Sequence, residues 1–198
     1  MPTQAMAEAV AEEWRAQEET VDPLSMPVTR AVNAALDKVT PRFAEVAEML
    51  AAYGDSDLTC YRADGPEALI ARQKQVWDPL LDWASDTYQA RLLPVEGVMH
   101  QAQDDAALAR LAAPLSAMTP FELTAAHDLV SLSGSLVIGL AACAQARPIE
   151  ELWQASRVDE TWQAEQWGED EEAAEVAALK QQAFYQADAF YRMSRNVN

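Results

Sequence analysis

Along most of this chain hydrophobic residues recur at three- and four-residue intervals, the spacing that lines one face of a helix, and no stretch alternates as a half-buried strand would. The most apolar segment is residues 129–144, LVSLSGSLVIGLAACA, which carries no charge. Upstream, Thr119 is placed to cap a helix and Pro120 to occupy its first position, so the pattern predicts one helix over about residues 120–145. Its second half is apolar all round, which predicts a central helix wrapped by the others. Gly134 and Gly139 each cost a helix about 1 kcal/mol relative to alanine, and close approach of neighbouring helices would explain them. The run falls short of the ~18–20 apolar residues of a membrane span and is interrupted by Ser131, Ser133 and Ser135.

The rest of the chain reads as shorter amphipathic helices. Thr3 starts the first, with Met6, Val10 and Trp14 as its stripe. Met26-Pro27 opens the second, with Val28, Ala31, Val32, Ala35 and Leu36 on one face, and Thr40-Pro41 the third, with Phe43, Val46, Ala47 and Leu50 inward. Residues 55–64 read as a loop, because LTCYR has no evident partner strand. A helix after Gly65-Pro66 carries Leu69, Ile70, Gln73 and Val76. Asp78-Pro79 predicts a kink or a restart there, with Asp78 capping and Leu80, Trp83, Ala84 and Tyr88 on the buried side. Asp104 starts a helix holding Ala107, Leu108 and Leu111. Beyond the central helix, Pro148 opens a helix that Gly168 ends. Glu169 to Glu172 then begin a last one, with Val176, Leu179, Ala183, Ala187 and Phe190 inward. The expectation is a single all-α domain over residues 1–198, of eight or nine helices around the central one.

Charge narrows the partners. Fourteen Lys and Arg against thirty-two Asp and Glu leave a net charge of −18, which disfavours nucleic acid and anionic membrane surfaces. The two cysteines, Cys60 and Cys143, are far apart and one lies in the apolar run, as expected for packed thiols in a reducing compartment. With no leader pattern at its start, the chain is expected to be cytoplasmic or already processed.

Catalytic patterns are missing: there is no phosphate-binding glycine loop, no GxGxxG, no CxxC and no HExxH. His100 and His127 are the only histidines, too few for a histidine-rich metal site, so neither metal nor cofactor is expected. Ser131, Ser133 and Ser135 do not form a GxSxG elbow. The unusual stretch is residues 149–170, IEELWQASRVDETWQAEQWGED. At 100° per residue, Ile149, Leu152, Trp153, Ser156, Glu160, Gln163 and Trp167 share a face, with Asp159 at its edge and Val158 and Trp162 opposite. Arg157, Asp159 and Glu160 are candidates for an ion network that pins helix packing or lines a groove. Trp153, Trp162 and Trp167 could anchor a bound partner. Acid–base catalysis by Asp159 and Glu160 is a third reading, with adjacent helical side chains about 100° apart against it. An acidic module that blocks a basic surface is a fourth. The run from Trp77-Asp78 to Trp83 is similarly open, as a capped helix start between core tryptophans or as a binding element.

The ordered segments EAVAEEW, TRAVNAALDKV, LTCYRADGPEALIARQKQVWDPLLDW, SGSLVIGLA and ELWQASRVDETWQAEQWGED, over about residues 5–178, resemble the ATP synthase F1 complex assembly factor 2 family. The resemblance implies a non-enzymatic chaperone that binds the unassembled alpha subunit of the F1 sector and shields its interface until the beta subunit replaces it. It implies the mitochondrial matrix for eukaryotic members and the cytoplasm for bacterial ones such as this chain. It carries the functional motif onto Ser156, Arg157, Asp159, Glu160, Gln163, Trp167 and Gly168, with Asp159 at the acidic position that matters for function. Apart from the resemblance, Trp77, Asp78, Trp83, Trp153 and Trp162 are candidates to support that motif. Family members have a small, partly β-structured N-terminal domain; the first residues here match the start of the helical domain, so that domain is expected to be absent.

Overall fold

The computed structural model describes residues 1–195 and is almost wholly helical, as the periodicity requires. The helices are α1 (Gln4–Arg15), α2 (Pro27–Ala34), α3 (Phe43–Ala51), α4 (Glu67–Tyr88), α5 (Asp105–Ser116), α6 (Pro120–Ser133), α7 (Leu136–Cys143), α8 (Ile149–Ala155), α9 (Val158–Trp167) and α10 (Glu171–Arg195). α6 is the hub, with α2, α3, α7 and α10 packed around it. Every residue of α7 is buried, as an uncharged helix must be. Thr3 caps α1 by accepting from the Met6 N–H, and its hydroxyl donates to the Met193 carbonyl at 2.8 Å, fastening α1 to α10. Among the described residues no helix is long and apolar enough to cross a membrane.

The apolar run is two helices, not one over 120–145. Gly134 ends α6 with φ at +71°, a conformation that costs side-chain-bearing residues roughly 1–2 kcal/mol. Ser135 then caps α7 by accepting from the Ile138 N–H. Asp57 fixes the break from outside: fully buried, it accepts from Ser135 Oγ and Thr59 Oγ1 at 2.7 Å each, and from the Val137 and Thr59 N–H groups at 3.0 Å each. Burial pushes its carboxyl above the ordinary value, with those donors pulling the other way. Close approach is the reason for Gly139, where a Cβ would lie 2.4 Å from Val130 Cγ2.

Two other boundaries differ from expectation. α4 continues through Pro79, because Trp77, Leu80, Leu81 and Ala84 are buried on both sides of it and their burial outweighs the lost N–H. Asp78 accordingly caps nothing and pairs with Arg62. The helix expected after Pro148 breaks at Ser156-Arg157, where Arg157 leaves helical geometry (φ −118°, ψ 18°). Loose ends at that break are taken up: Ser156 Oγ donates to the Trp153 carbonyl, and Trp77 Nε1 to the Ala155 carbonyl, each at 2.7 Å.

Residues 55–64 are more ordered than a loop. Leu58–Cys60 form a 3₁₀ turn, and β1 (Tyr61–Arg62) pairs in parallel with β2 (Val95–Glu96), a partner too short to announce itself by alternation. Trp14 and Leu36 lie on exposed surface despite their place in the apolar stripes. In α10, Ala187 and Phe190 are buried with Phe184 and Tyr191, but Val176 and Leu179 are exposed, since residues 171–183 contribute nothing to the core. Both cysteines are buried, and desolvation pushes each thiol to about 12.

Candidate functional site

The motif of residues 156–168 lies against α4, and residues of α4 set its geometry. Gln73 sits on the apolar stripe of α4, where an amide must find partners for both ends. Its Oε1 accepts from the Ala63 N–H at 2.8 Å, and its Nε2 donates to Asp159 Oδ1 at 2.7 Å. One residue earlier, Arg72 Nη2 meets Glu165 Oε2 at 2.8 Å and its guanidinium lies 4.9 Å from the Trp162 ring centre. The hydrogen bond from Arg72 holds the Glu165 carboxyl below its usual range. Asp159, Trp162 and Glu165 recur at three-residue spacing, so they face α4 together.

At the α8–α9 junction, Arg157 Nη1 pairs with Glu160 Oε1 at 2.9 Å, and its guanidinium lies 5.1 Å from the Trp153 ring. Trp153 is buried and tilts against Phe184 of α10, ring centres 5.6 Å apart. Beside Trp77, buried Arg62 of β1 donates from Nε to the Thr59 carbonyl. Its Nη2 lies 2.7 Å from Asp78 Oδ1 as an ion pair without hydrogen-bond alignment, and its guanidinium is 5.4 Å from fully buried Trp77.

The sequence candidates therefore divide. Ser156, Arg157, Asp159, Glu160, Trp153 and Trp162 are brought together, Trp77 of α4 supports them through its bond to the Ala155 carbonyl, and Asp78 of α4 pairs with Arg62 of β1, whose guanidinium lies over Trp77. Trp83 stacks edge-on against Tyr88 within α4, ring centres 5.5 Å apart, and takes no part. Gln163 and Trp167 point outward, Trp167 with 79% of its surface exposed, and Gly168 ends α9 at φ +94°. Arg72 and Glu165 were not singled out by the sequence, and Gln73 was read only as a stripe residue. A polar side chain at a core-facing position was the available signal. Asp159 and Glu160 turn to different partners, while His127 bonds Asp128 on α6. Asp159 and Glu160 are therefore not assembled as an acid–base pair, and His127 is not beside them. Among the described residues no cluster of three or more His, Cys, Asp or Glu could hold a metal ion.

Comparison with known proteins places the fold in a family. The profile of the ATP12 chaperone protein family matches residues 1–85. The crystal structure of Atp12 from Paracoccus denitrificans superposes with a TM-score of 0.96 at 46% identity, covering 98% of this chain and 84% of that one. A mutant of the same Paracoccus protein, with an aspartate changed to lysine, matches with the same score and identity over 98% and 83%. Atu1473 of Agrobacterium tumefaciens, described as a candidate chaperone, matches at 0.92 and 44% identity over 97% and 72%. The fold is thus that of a family of helical chaperones, not of enzymes. The chain belongs to the ATP12 chaperone family, the family its ordered motifs resemble.

Proposed function

We propose that this chain is an assembly chaperone for the F1 sector of ATP synthase, acting in the bacterial cytoplasm. It binds the unassembled alpha subunit and covers its subunit interface until beta displaces the chaperone. The observation that carries this reading is the division of α9. One side is fastened to α4 through Asp159, Trp162 and Glu165, and the other presents Glu160, Gln163 and the exposed Trp167. An aromatic ring beside exposed carboxylates suits a protein client, since large rings supply most of the contact energy at such surfaces. In this scheme Asp159 positions α9, and Glu160 and Trp167 touch the client.

The test is co-expression with the alpha subunit from the same source, followed by size-exclusion chromatography with and without beta. A soluble binary complex that beta dissolves is expected, and Glu160→Lys with Trp167→Ala should lose it while circular dichroism stays unchanged. Alpha eluting alone, or a complex indifferent to both substitutions, overturns the assignment of this face.

A further inference from the structure

We infer that the groove between α2, α3, α6 and α10 is a second docking site, for an amphipathic helical segment that carries acidic side chains on its flank. The groove has a volume of about 550 Å³, within the ~300–1,000 Å³ of sites that take a ligand. Val28 and Ala31 of α2, Val46 of α3, Ala125 of α6, and Ala187 and Phe190 of α10 make it apolar. It follows α10 from Ala183 to Met193. At about 1.5 Å per residue that is roughly 15 Å, or nearly three turns of a helix laid in it. Small side chains at Ala31, Ala34 and Ala183 let a partner backbone come close. Met49, 46% exposed, and Met193 add side chains that adapt to the occupant's shape. No residue of α8 or α9 lines it, so it is separate from the face proposed above.

Charge selects the occupant. In a chain of net charge −18, the charged groups lining this groove are Arg30, Lys38 and Asp128, with His127. Asp128 is engaged by His127, and among the described residues neither Arg30 nor Lys38 pairs with a carboxylate. The two cations stand eight positions apart on α2 and the turn after it, roughly 12 Å at helical rise. Two carboxylates about two turns apart on a helix match both, whereas a fatty acid offers one. An apolar stripe in the groove with acids toward its cationic edge is the helix-in-groove mode of recognition with complementary charge.

The test is fluorescence anisotropy with the full chain and a labelled designed peptide of about sixteen residues, leucines on one face and two glutamates about seven positions apart on its flank. A matched peptide with lysines for the glutamates, and dodecanoate, are the comparison probes. The glutamate peptide should bind, and the lysine peptide about tenfold or more weakly. Ala31→Trp should abolish binding by filling the groove. Arg30→Glu with Lys38→Glu, both exposed and harmless to folding, should reverse the preference. Equal binding of the two peptides, binding that survives the charge reversal unchanged, or dodecanoate binding with neither peptide bound overturns the proposal; so does no binding at all.

Discussion

Gln73 Nε2 donates to Asp159 Oδ1 at 2.7 Å, joining α4 to α9 across 86 residues of chain. Asp159 is thereby held by the scaffold rather than left free. Gln73→Leu should cost about 1–2 kcal/mol, because it strands the Ala63 N–H and leaves Asp159 to water. Asp159→Ala should cost a similar amount, and the double variant less than the sum, with a coupling of about 1 kcal/mol in urea unfolding. Strict additivity would mean that the bond contributes nothing.

Asp57 is a second long-range tie, accepting four hydrogen bonds around the start of α7. Asp57→Ala leaves Ser135, Thr59 and the Val137 N–H with unmet donors in the core. With buried unsatisfied groups at about 1–3 kcal/mol each, the urea midpoint should fall steeply. A loss under about 1 kcal/mol would show that water or relaxation replaces the carboxylate.

Gly139→Ala should destabilise despite alanine's better helix propensity. The new Cβ meets Val130 at 2.4 Å, and overpacking of that kind costs about 1–3 kcal/mol against a propensity gain of about 1 kcal/mol. Adding Val130→Ala should recover part of the loss, which thermal unfolding of the three proteins would measure.

His127 supplies a pH dependence. Its hydrogen bond to Asp128, 2.9 Å long, raises its pKa above the ordinary 6.5 against partial burial. A raised folded-state pKa favours the protonated form, so the stability this pair adds is fully present below 6.5 and disappears as pH rises through the raised value. An NMR titration should find the His127 midpoint above 6.5, falling in Asp128→Asn. Identical midpoints in the two proteins would assign the shift elsewhere.

The features legible in the sequence were local ones. Thr3, Thr119 and Asp104 cap the helices they were expected to cap, and the uncharged run marked the buried centre. The boundaries that departed from expectation were set by partners distant in the chain. Gly134 looked like a tolerated helix residue because nothing nearby shows that Asp57 supplies the acceptor for a new N-terminus at Ser135. Pro79 reads as a kink or a restart because the burial of Trp77 and Leu80 on either side is tertiary. The same holds at the site: the motif on α8 and α9 was readable as a pattern, but the α4 residues that orient it were not. Gln73 and Arg72 carry no signature except a polar group on or beside an apolar stripe.

The contact between Thr3 and Met193 bears on how the protein is made. One hydroxyl both caps the first helix and bonds the backbone of the last, with 190 positions between them. Chains emerge from synthesis N-terminus first, so α1 can cap itself and meet α2 early, but its contacts with α10 wait until the last helix has been translated. During that interval the burial of Met6 and Val10, complete in the finished fold, is only partial. A member of a chaperone family thus completes its own packing only when nearly the whole chain is present.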